Sequence, residues 1–272
     1  MSVSMEWIIR KVEEHAPPQA ALPWDNQGFL VGEELKEVKR LLVALDCTDD
    51  VVDEAAIINA DAILTHHPII MSPVKDITSR TNLGRRLIKL IRAGISVYCA
   101  HTSLDMASCG TNDWLASYFD LVGLKPLMPL DSEEPGLGRA GLLPEPIKLK
   151  DLAALASKRL DADAVRFVGN PEAIVRKMGL CAGGASGSRY FREAKRQGCD
   201  VYMTGDIKYH EAQGALEIGL NLIDATHYAS EAAMVLKMKS FLLEQARKEG
   251  AAFEIIASKS KGQVFFAAGE AK

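Results

Sequence analysis

The chain predicts an α/β protein made of two related units, each a largely parallel sheet covered by helices, with polar strand ends facing a shared cleft. Three observations carry this reading. Short apolar runs alternate with segments of helical spacing; the same alternation returns in the second half; and histidines and carboxylates follow the apolar runs, at Thr65-His66-His67-Pro68, at His101 and Asp105, and at His227 and Glu231.

The elements follow in order. Met5, Ile8, Ile9 and Val12 have helical spacing, and Pro17-Pro18 stops the pattern. Leu41 to Leu45 is a strand-like apolar run ending in Asp46 and Cys47, and Thr48 caps a following helix whose first turn holds Asp49 and Asp50. Ala62-Ile63-Leu64 is the next strand and delivers His66 and His67 at its end. Leu83, Leu87, Leu90 and Ile91 form a helix face closed by Gly94, and Ile95 to Cys99 is another strand. The segment from Asp131 to Gly141 breaks the periodicity and is the expected crossing into the second unit. Beyond it, Gln197 to Thr204 parallels Ile58 to Thr65, and Gly219 to Ala225 parallels Gly94 to Ala100.

The chain has 272 residues, a net charge of −4 and 48% apolar residues, with a pI of about 5.9. No apolar run reaches the roughly 18–20 residues of a membrane helix, and the start lacks the basic and apolar regions of a signal peptide, so the expected compartment is the cytoplasm. Cys47, Cys99, Cys181 and Cys199 lie in or beside apolar runs and no C-x-x-C pair occurs, which argues for free thiols rather than a disulfide framework or a thiolate zinc site. Mild acidity disfavours nucleic acid as a partner.

The histidines and carboxylates have the composition of a site for divalent metal. Neighbouring side chains on a regular strand point to opposite faces, so His66 and His67 suit two adjacent ions better than one, unless the strand end is irregular. Asp105 adds a hard oxygen ligand that can bridge. His227 and Glu231 present a nitrogen and a carboxylate on one face of a helix beginning after Thr226, with Met234, Met238 and Phe241 continuing the apolar pattern. His66, His67, Asp105, His227 and Glu231 together fit a dinuclear site with open coordination, and zinc, manganese or iron all suit mixed imidazole and carboxylate ligands. Each piece alone also reads as ordinary: a solvated turn, a core histidine, an exposed helix pair. Their common placement after apolar strands favours the metal reading.

Other residues invite roles. His101 is a candidate catalytic acid or a partner that orients a ligand. Asp206 and His210 follow a strand end and are candidate proton donors, Asp206 serving equally well as a helix cap. The loop Cys181 to Ser188, with Gly184 and Ser186, offers backbone N–H groups to a substrate anion but lacks the lysine of a Walker loop. Trp24, Asp25 and Asn26 either wall a substrate pocket or build a turn over the packed indole.

Taken jointly, Trp24-Asp25-Asn26-Gln27-Gly28 with Val31-Gly32, His66-His67-Pro68, His101 to Asp105, Cys181 to Gly187, Thr204-Gly205-Asp206 with His210, and Asp224 to Glu231 resemble one family in order and spacing. This is the Nif-three-like family of dinuclear metal centre proteins, often named GTP cyclohydrolase 1 type 2 homologues. The resemblance implies nested α/β domains with mixed or largely parallel sheets, a first domain over 1–130 and 220–272 completed by the C-terminal segment, and a second over 131–219. It implies a toroidal homohexamer, a trimer of dimers, and two divalent metals per chain on the same five ligands. Thr226 stands where the family often has glycine, beside the ligand histidine. The functional expectation is a metal-dependent hydrolase acting on a nucleotide or related small molecule, GTP cyclohydrolase-like or phosphoesterase-like. The alternative is a non-enzymatic ring that binds partners or handles metal.

Overall fold

A computed structural model describes residues 2–130, 136–260 and 262–266. In chain order the elements are β1 (Val3–Ser4), α1 (Met5–His15), β2 (Gly28–Val31), β3 (Glu37–Val38), β4 (Arg40–Ala44), α2 (Asp49–Ile57), β5 (Ala62–Thr65), α3 (Asn82–Ala93), β6 (Ser96–Cys99), α4 (Thr102–Met106) and α5 (Thr111–Ser117). They continue with β7 (Val122–Pro129), β8 (Gly136–Lys148), α6 (Leu149–Leu160), β9 (Arg166–Val168), β10 (Ile174–Leu180), α7 (Ser188–Arg196), β11 (Val201–Thr204), α8 (Tyr209–Glu217), β12 (Asn221–Asp224), α9 (His227–Glu231), α10 (Ala233–Lys248) and β13 (Glu254–Ala257).

The α/β class expected from the sequence is what the chain forms, as two compact units: Met1–Leu104 with Met234–Gly262, and Asp105–Ala233 with Gln263–Lys272. The first contains a five-stranded sheet ordered β13-β4-β5-β6-β2, and the second a six-stranded sheet ordered β7-β8-β10-β11-β12-β9. The second unit begins before and ends after the 131–219 segment expected from the sequence. Strand β7 pairs with β8 as an antiparallel hairpin, and β12 continues the parallel ladder of β11, so each strand stays with its hydrogen-bonding neighbour. Residues 131–135 of the expected crossing lie outside the described residues, and 136–141 are the start of β8.

In the first unit, β4, β5 and β6 run parallel, with Ala44 beside Thr65 and Thr65 beside Cys99. Strands buried on both faces explain why these segments read as unbroken apolar runs rather than alternating ones. The helices start where short polar side chains cap them: Ser4 accepts from the Trp7 amide at 3.1 Å, Thr48 from Val51 at 3.3 Å and Thr81 from Gly84 at 3.0 Å. Leu42, Val52, Ile63, Leu87, Leu90 and Val97 form the packed interior between sheet and helices.

The second unit repeats this grammar at the level of single hydrogen bonds. The Asp61 carboxylate accepts from the amides of Lys39 and Arg40 at 2.8 and 2.9 Å, and the Asp200 carboxylate accepts from Arg176 and Lys177 at 2.8 and 3.0 Å. Ala100 N–H donates to the Thr65 carbonyl at 2.9 Å, and Ala225 N–H to the Thr204 carbonyl at 2.8 Å. In each unit an antiparallel edge strand follows the parallel trio, β2 on β6 and β9 on β12. The parallel between the two halves of the sequence therefore reflects a shared local architecture, with the aspartates acting as clamps on the preceding strand. The second interior is built on Phe119, Leu152, Val175, Met178, Val201, Met203 and Ile223.

Cys47, Cys99, Cys181 and Cys199 are buried cysteines outside any disulfide, and Cys109 is an exposed one. Burial drives the Cys47 thiol up to about 12 and Cys199 to about 11, so both pack as neutral apolar groups. Among the described residues no helix is long and apolar enough to cross a membrane.

Candidate metal centre

The end of β5 departs from a regular strand, and this brings two histidines together. The amides of His66 and His67 both donate to the Leu45 carbonyl, at 3.1 and 2.9 Å. The Thr65 hydroxyl donates to the His67 carbonyl at 2.8 Å. With the ladder collapsed onto one acceptor, the two imidazoles lie 5.1 Å apart between ring centroids instead of on opposite faces. His101, immediately after β6, completes a triangle, its ring 5.2 Å from His66 and 5.6 Å from His67. Each of the three rings offers a nitrogen within 4.8 Å of the others, a spacing that a metal ion can satisfy.

The orientation of each ring is set by its other nitrogen. His66 Nδ1 lies 2.8 Å from the Ala100 carbonyl, His67 Nδ1 2.8 Å from Asp46 Oδ1, and His101 Nδ1 2.8 Å from Asp25 Oδ1. In the second unit, His227 Nδ1 lies 2.7 Å from Asp206 Oδ2. Carbonyl and carboxylate oxygens only accept, so each Nδ1 carries a proton, and in the neutral ring Nε2 is left with the lone pair. This is the arrangement metal-ligating histidines adopt.

Asp25 is the most elaborately held of these partners. Its Oδ2 accepts from the Thr102 amide at 3.0 Å and the Thr102 hydroxyl at 2.6 Å. Burial raises the pKa of this carboxyl, but hydrogen bonds from His101 and Thr102 and the charge of His101 outweigh it, leaving a value of about 2. A carboxyl whose folded pKa lies below its unfolded one contributes stability that is complete above about pH 4 and is lost as pH falls towards 2. In urea titrations of the metal-free protein, wild-type stability should therefore fall across that window more steeply than that of Asp25→Asn; equal slopes would contradict this bonding.

In the second unit, α9 is a five-residue helix of its own, and it sets His227 and Glu231 on one face with Nε2 and Oε2 3.2 Å apart. Since His227 Nδ1 is committed to Asp206, two acceptors face each other across this gap unless a cation or proton is shared between them. Thr226, before the histidine, has φ 65° and ψ 151°, a region that suits glycine, and its hydroxyl accepts from the Ala229 amide at 3.3 Å. Asp105 is buried on α4, with its carboxylate accepting from the Thr111 hydroxyl. The loop after β10 passes closely over α9: a Cβ on Gly183, at φ +73°, would sit 2.2 Å from Glu231 Oε1. Gly183→Ala should therefore displace the Glu231 carboxylate, destabilise the chain by about 1–3 kcal/mol, and lower metal content, measured by thermal unfolding and elemental analysis; wild-type metal content would contradict this packing.

The remaining sequence candidates have distinct placements. Asp206, at φ 56°, has its carboxylate Oδ2 2.7 Å from His227 Nδ1. His210 is exposed on α8, its Nδ1 3.0 Å from Gln213 Oε1. Asn26 donates to the Ile70 carbonyl at 2.6 Å, and Trp24 packs edge-on to His101 with ring centroids 5.9 Å apart. Gly184 lies against Asp206 and His227, where an added Cβ would come 3.0 Å from Asp206 Oδ2. The Ser186 hydroxyl donates to Glu211 Oε2 at 2.5 Å. Residues the sequence reading passed over are Asp46 as partner of His67, Gln27, whose Oε1 accepts from the amides of His101 and Ser103 at 3.2 and 3.1 Å, and Asn112 and Ser230. Asp46 carried a signal, a carboxylate at the end of an apolar run.

Comparison with known proteins bears on this geometry. A GTP cyclohydrolase 1 type 2 homolog of Clostridium perfringens is 34% identical over 260 residues, spanning 95% of this chain and 97% of that one. A protein of the same name from Streptomyces coelicolor is 37% identical over 231 residues, 82% of this chain and 80% of its own length. Among solved structures, a Bacillus cereus protein related to NIF3 superposes with a TM-score of 0.92 at 26% identity, covering 98% of this chain and 99% of that one. Reduced HcgD from Methanocaldococcus jannaschii gives 0.81 at 30% identity, covering 96% and 99%. The pattern of the Duf34/NIF3 (NGG1p interacting factor 3) family matches residues 3–263. Relatives aligned end to end and a family pattern spanning both units lead to one conclusion: the chain belongs to the Duf34/NIF3 family.

Proposed function

We propose that the protein is a metal-dependent hydrolase in which His66, His67, Asp105, His227 and Glu231 hold two divalent cations, and that its substrate is a nucleotide or a related small molecule. The observation that carries the metal reading is the tethering of all four site histidines through Nδ1 to a carbonyl or carboxylate oxygen, which commits each Nε2 to an electron-pair acceptor. The donor set of imidazoles and carboxylates fits zinc, manganese or iron. When bound, such cations supply a water acidified towards neutral pH and a Lewis acid for a carbonyl, amidine or phosphoryl oxygen.

The chain's own residues divide the remaining work. Asp25 fixes His101 with Nε2 as its exchangeable nitrogen, so His101 is the group best placed to pass a proton to or from a substrate held by the His66 and His67 side of the site. Asp46 and Asp206 keep His67 and His227 in ligating orientation. Trp24, its ring centroid 5.9 Å from that of His101 and 60% exposed, offers an apolar face for a planar base. The naming of the relatives as GTP cyclohydrolase 1 type 2 homologs supports a purine nucleotide as the first class to test. The family resemblance supports a cytoplasmic homohexamer.

The test is a turnover screen of metal-loaded and metal-free protein against nucleoside triphosphates, phosphodiesters and cyclic amides. Metal-dependent turnover that falls by about 100-fold or more in His101→Gln, within the 10²–10⁴-fold range of a general acid or base, supports the reading. A metal-loaded protein that turns over nothing in the panel overturns it and favours a ring that binds partners or handles metal.

A further inference from the structure

We propose that Asn112 is a positioning residue for the metal centre, joining the main chain at Asp105 to the loop that packs on His227 and Glu231; this rests on the metal reading above. Asn112 is completely buried at the start of α5. Its amide nitrogen donates to the Asp105 carbonyl at 2.8 Å, and its amide oxygen accepts from the Ala182 N–H at 2.9 Å. One side chain thus spans a separation of 70 residues between the segment carrying one carboxylate and the loop beside another.

The chain of bonds continues from that loop. The Gly183 amide donates to Ser230 Oγ at 2.9 Å, and the Ser230 hydroxyl donates to the His227 carbonyl at 2.7 Å. The Gly183 carbonyl is held by the Thr204 hydroxyl at 3.0 Å and the Gly205 amide at 2.8 Å. Meanwhile the Thr111 hydroxyl, adjacent to Asn112, donates to the Asp105 carboxylate. Asp105, Gly183, Ser230 and His227 are therefore joined by one hydrogen-bond network in which Asn112 links the arm at Asp105 to the arm at Gly183. A neighbour of the same size lacking either the donor or the acceptor breaks it: aspartate sets a second acceptor against the Asp105 carbonyl, and leucine supplies neither group. Nothing in hydrophobic packing requires an amide at this place, since burying one is unfavourable unless both its ends are bonded.

The experiment is a Co²⁺ titration of metal-stripped full-length protein followed by its visible spectrum, with metal-free thermal unfolding measured in parallel. Asn112→Leu and Asn112→Asp are compared with Leu115→Ala, a substitution of a buried core residue on the same helix that touches none of these bonds. Both Asn112 variants should bind Co²⁺ about 10–100-fold more weakly, the range of lost outer partners, with shifted ligand-field bands, whereas Leu115→Ala loses thermal stability but keeps the wild-type affinity and spectrum. Should Asn112→Leu not fold, Asn112→Asp carries the comparison, since it retains the bond to Ala182. Wild-type affinity and bands in the Asn112 variants, or losses equal to those of Leu115→Ala, would overturn the positioning role while leaving the metal reading intact. Failure of the wild-type protein to take up Co²⁺ would overturn both.

Discussion

Glu231→Gln should abolish metal retention while leaving the metal-free protein at least as stable as wild type. Glu231 is buried, and its carboxylate faces the Nε2 of His227 at 3.2 Å, with the opposite nitrogen of that ring already donating to Asp206. Two acceptors at that distance are a poor arrangement without a cation or a proton between them. Glutamine fills the same volume and can turn its NH₂ towards Nε2, converting the opposition into a hydrogen bond. It also removes the anionic ligand oxygen. The expected pattern is a loss of metal affinity beyond the 10–100-fold that outer partners cause, together with an unchanged or raised melting temperature for the stripped protein. A residue retained for packing alone would give the reverse, a lowered melting temperature and unaltered metal content.

The largest expected effect on folding comes from Arg139→Ala, a loss of about 3 kcal/mol, the lower end for a broken buried ion pair, because the Asp113 carboxylate left behind is partly exposed. Arg139 is 2% exposed. It forms a bidentate pair with Asp113, Nε to Oδ1 at 2.7 Å and Nη2 to Oδ2 at 2.9 Å, and donates further to the carbonyls of Ala107, Gly136 and Gly138 at 3.0, 2.7 and 2.8 Å. The substitution leaves the Asp113 carboxylate on α5, the Ala107 carbonyl in the turn joining α4 to α5, and the Gly136 and Gly138 carbonyls of β8 without this cation. Lysine cannot match the planar fork, so Arg139→Lys should recover only a minor part of the stability. Urea unfolding measures both, and a loss below about 1 kcal/mol for Arg139→Ala, the range of an exposed pair, would contradict the account.

What the sequence made legible follows the range of the interactions that decide each feature. Strands β4, β5, β6, β11 and β12 were readable because sheets covered on both faces demand continuous apolar runs, and their ends delivered His66, His67, His101 and His227 by chain continuity alone. Thr48 as a cap and Gly94 as a stop were readable because they act within one turn. The partners of the histidines were not. Asp25 lies 76 residues from His101, and Asp46 and Asp206 each lie 21 from the ring they hold, distances at which spacing carries no signal without the tertiary fold. For the same reason the sequence offers Asp25 as a pocket wall or a turn residue and Asp206 as a proton donor or a helix cap, and in neither case the imidazole to which each is tied. The irregular end of β5, which lets His66 and His67 share one side, was anticipated only as a condition, because bifurcation onto Leu45 depends on the neighbouring strand. The extents of the units depended on which strands pair: β7 with β8 and β12 with β11 are choices of the sheet that a break in periodicity does not reveal.

The central claim, that the histidine and carboxylate set holds metal, is tested most directly by elemental analysis of the purified protein beside its His67→Ala and His227→Ala variants, each verified as folded by its unfolding transition. Close to two equivalents of divalent metal per wild-type chain are expected, with marked loss in both variants. Wild-type protein that remains free of metal after incubation with zinc, manganese and iron, or variants that retain the full complement, would contradict it.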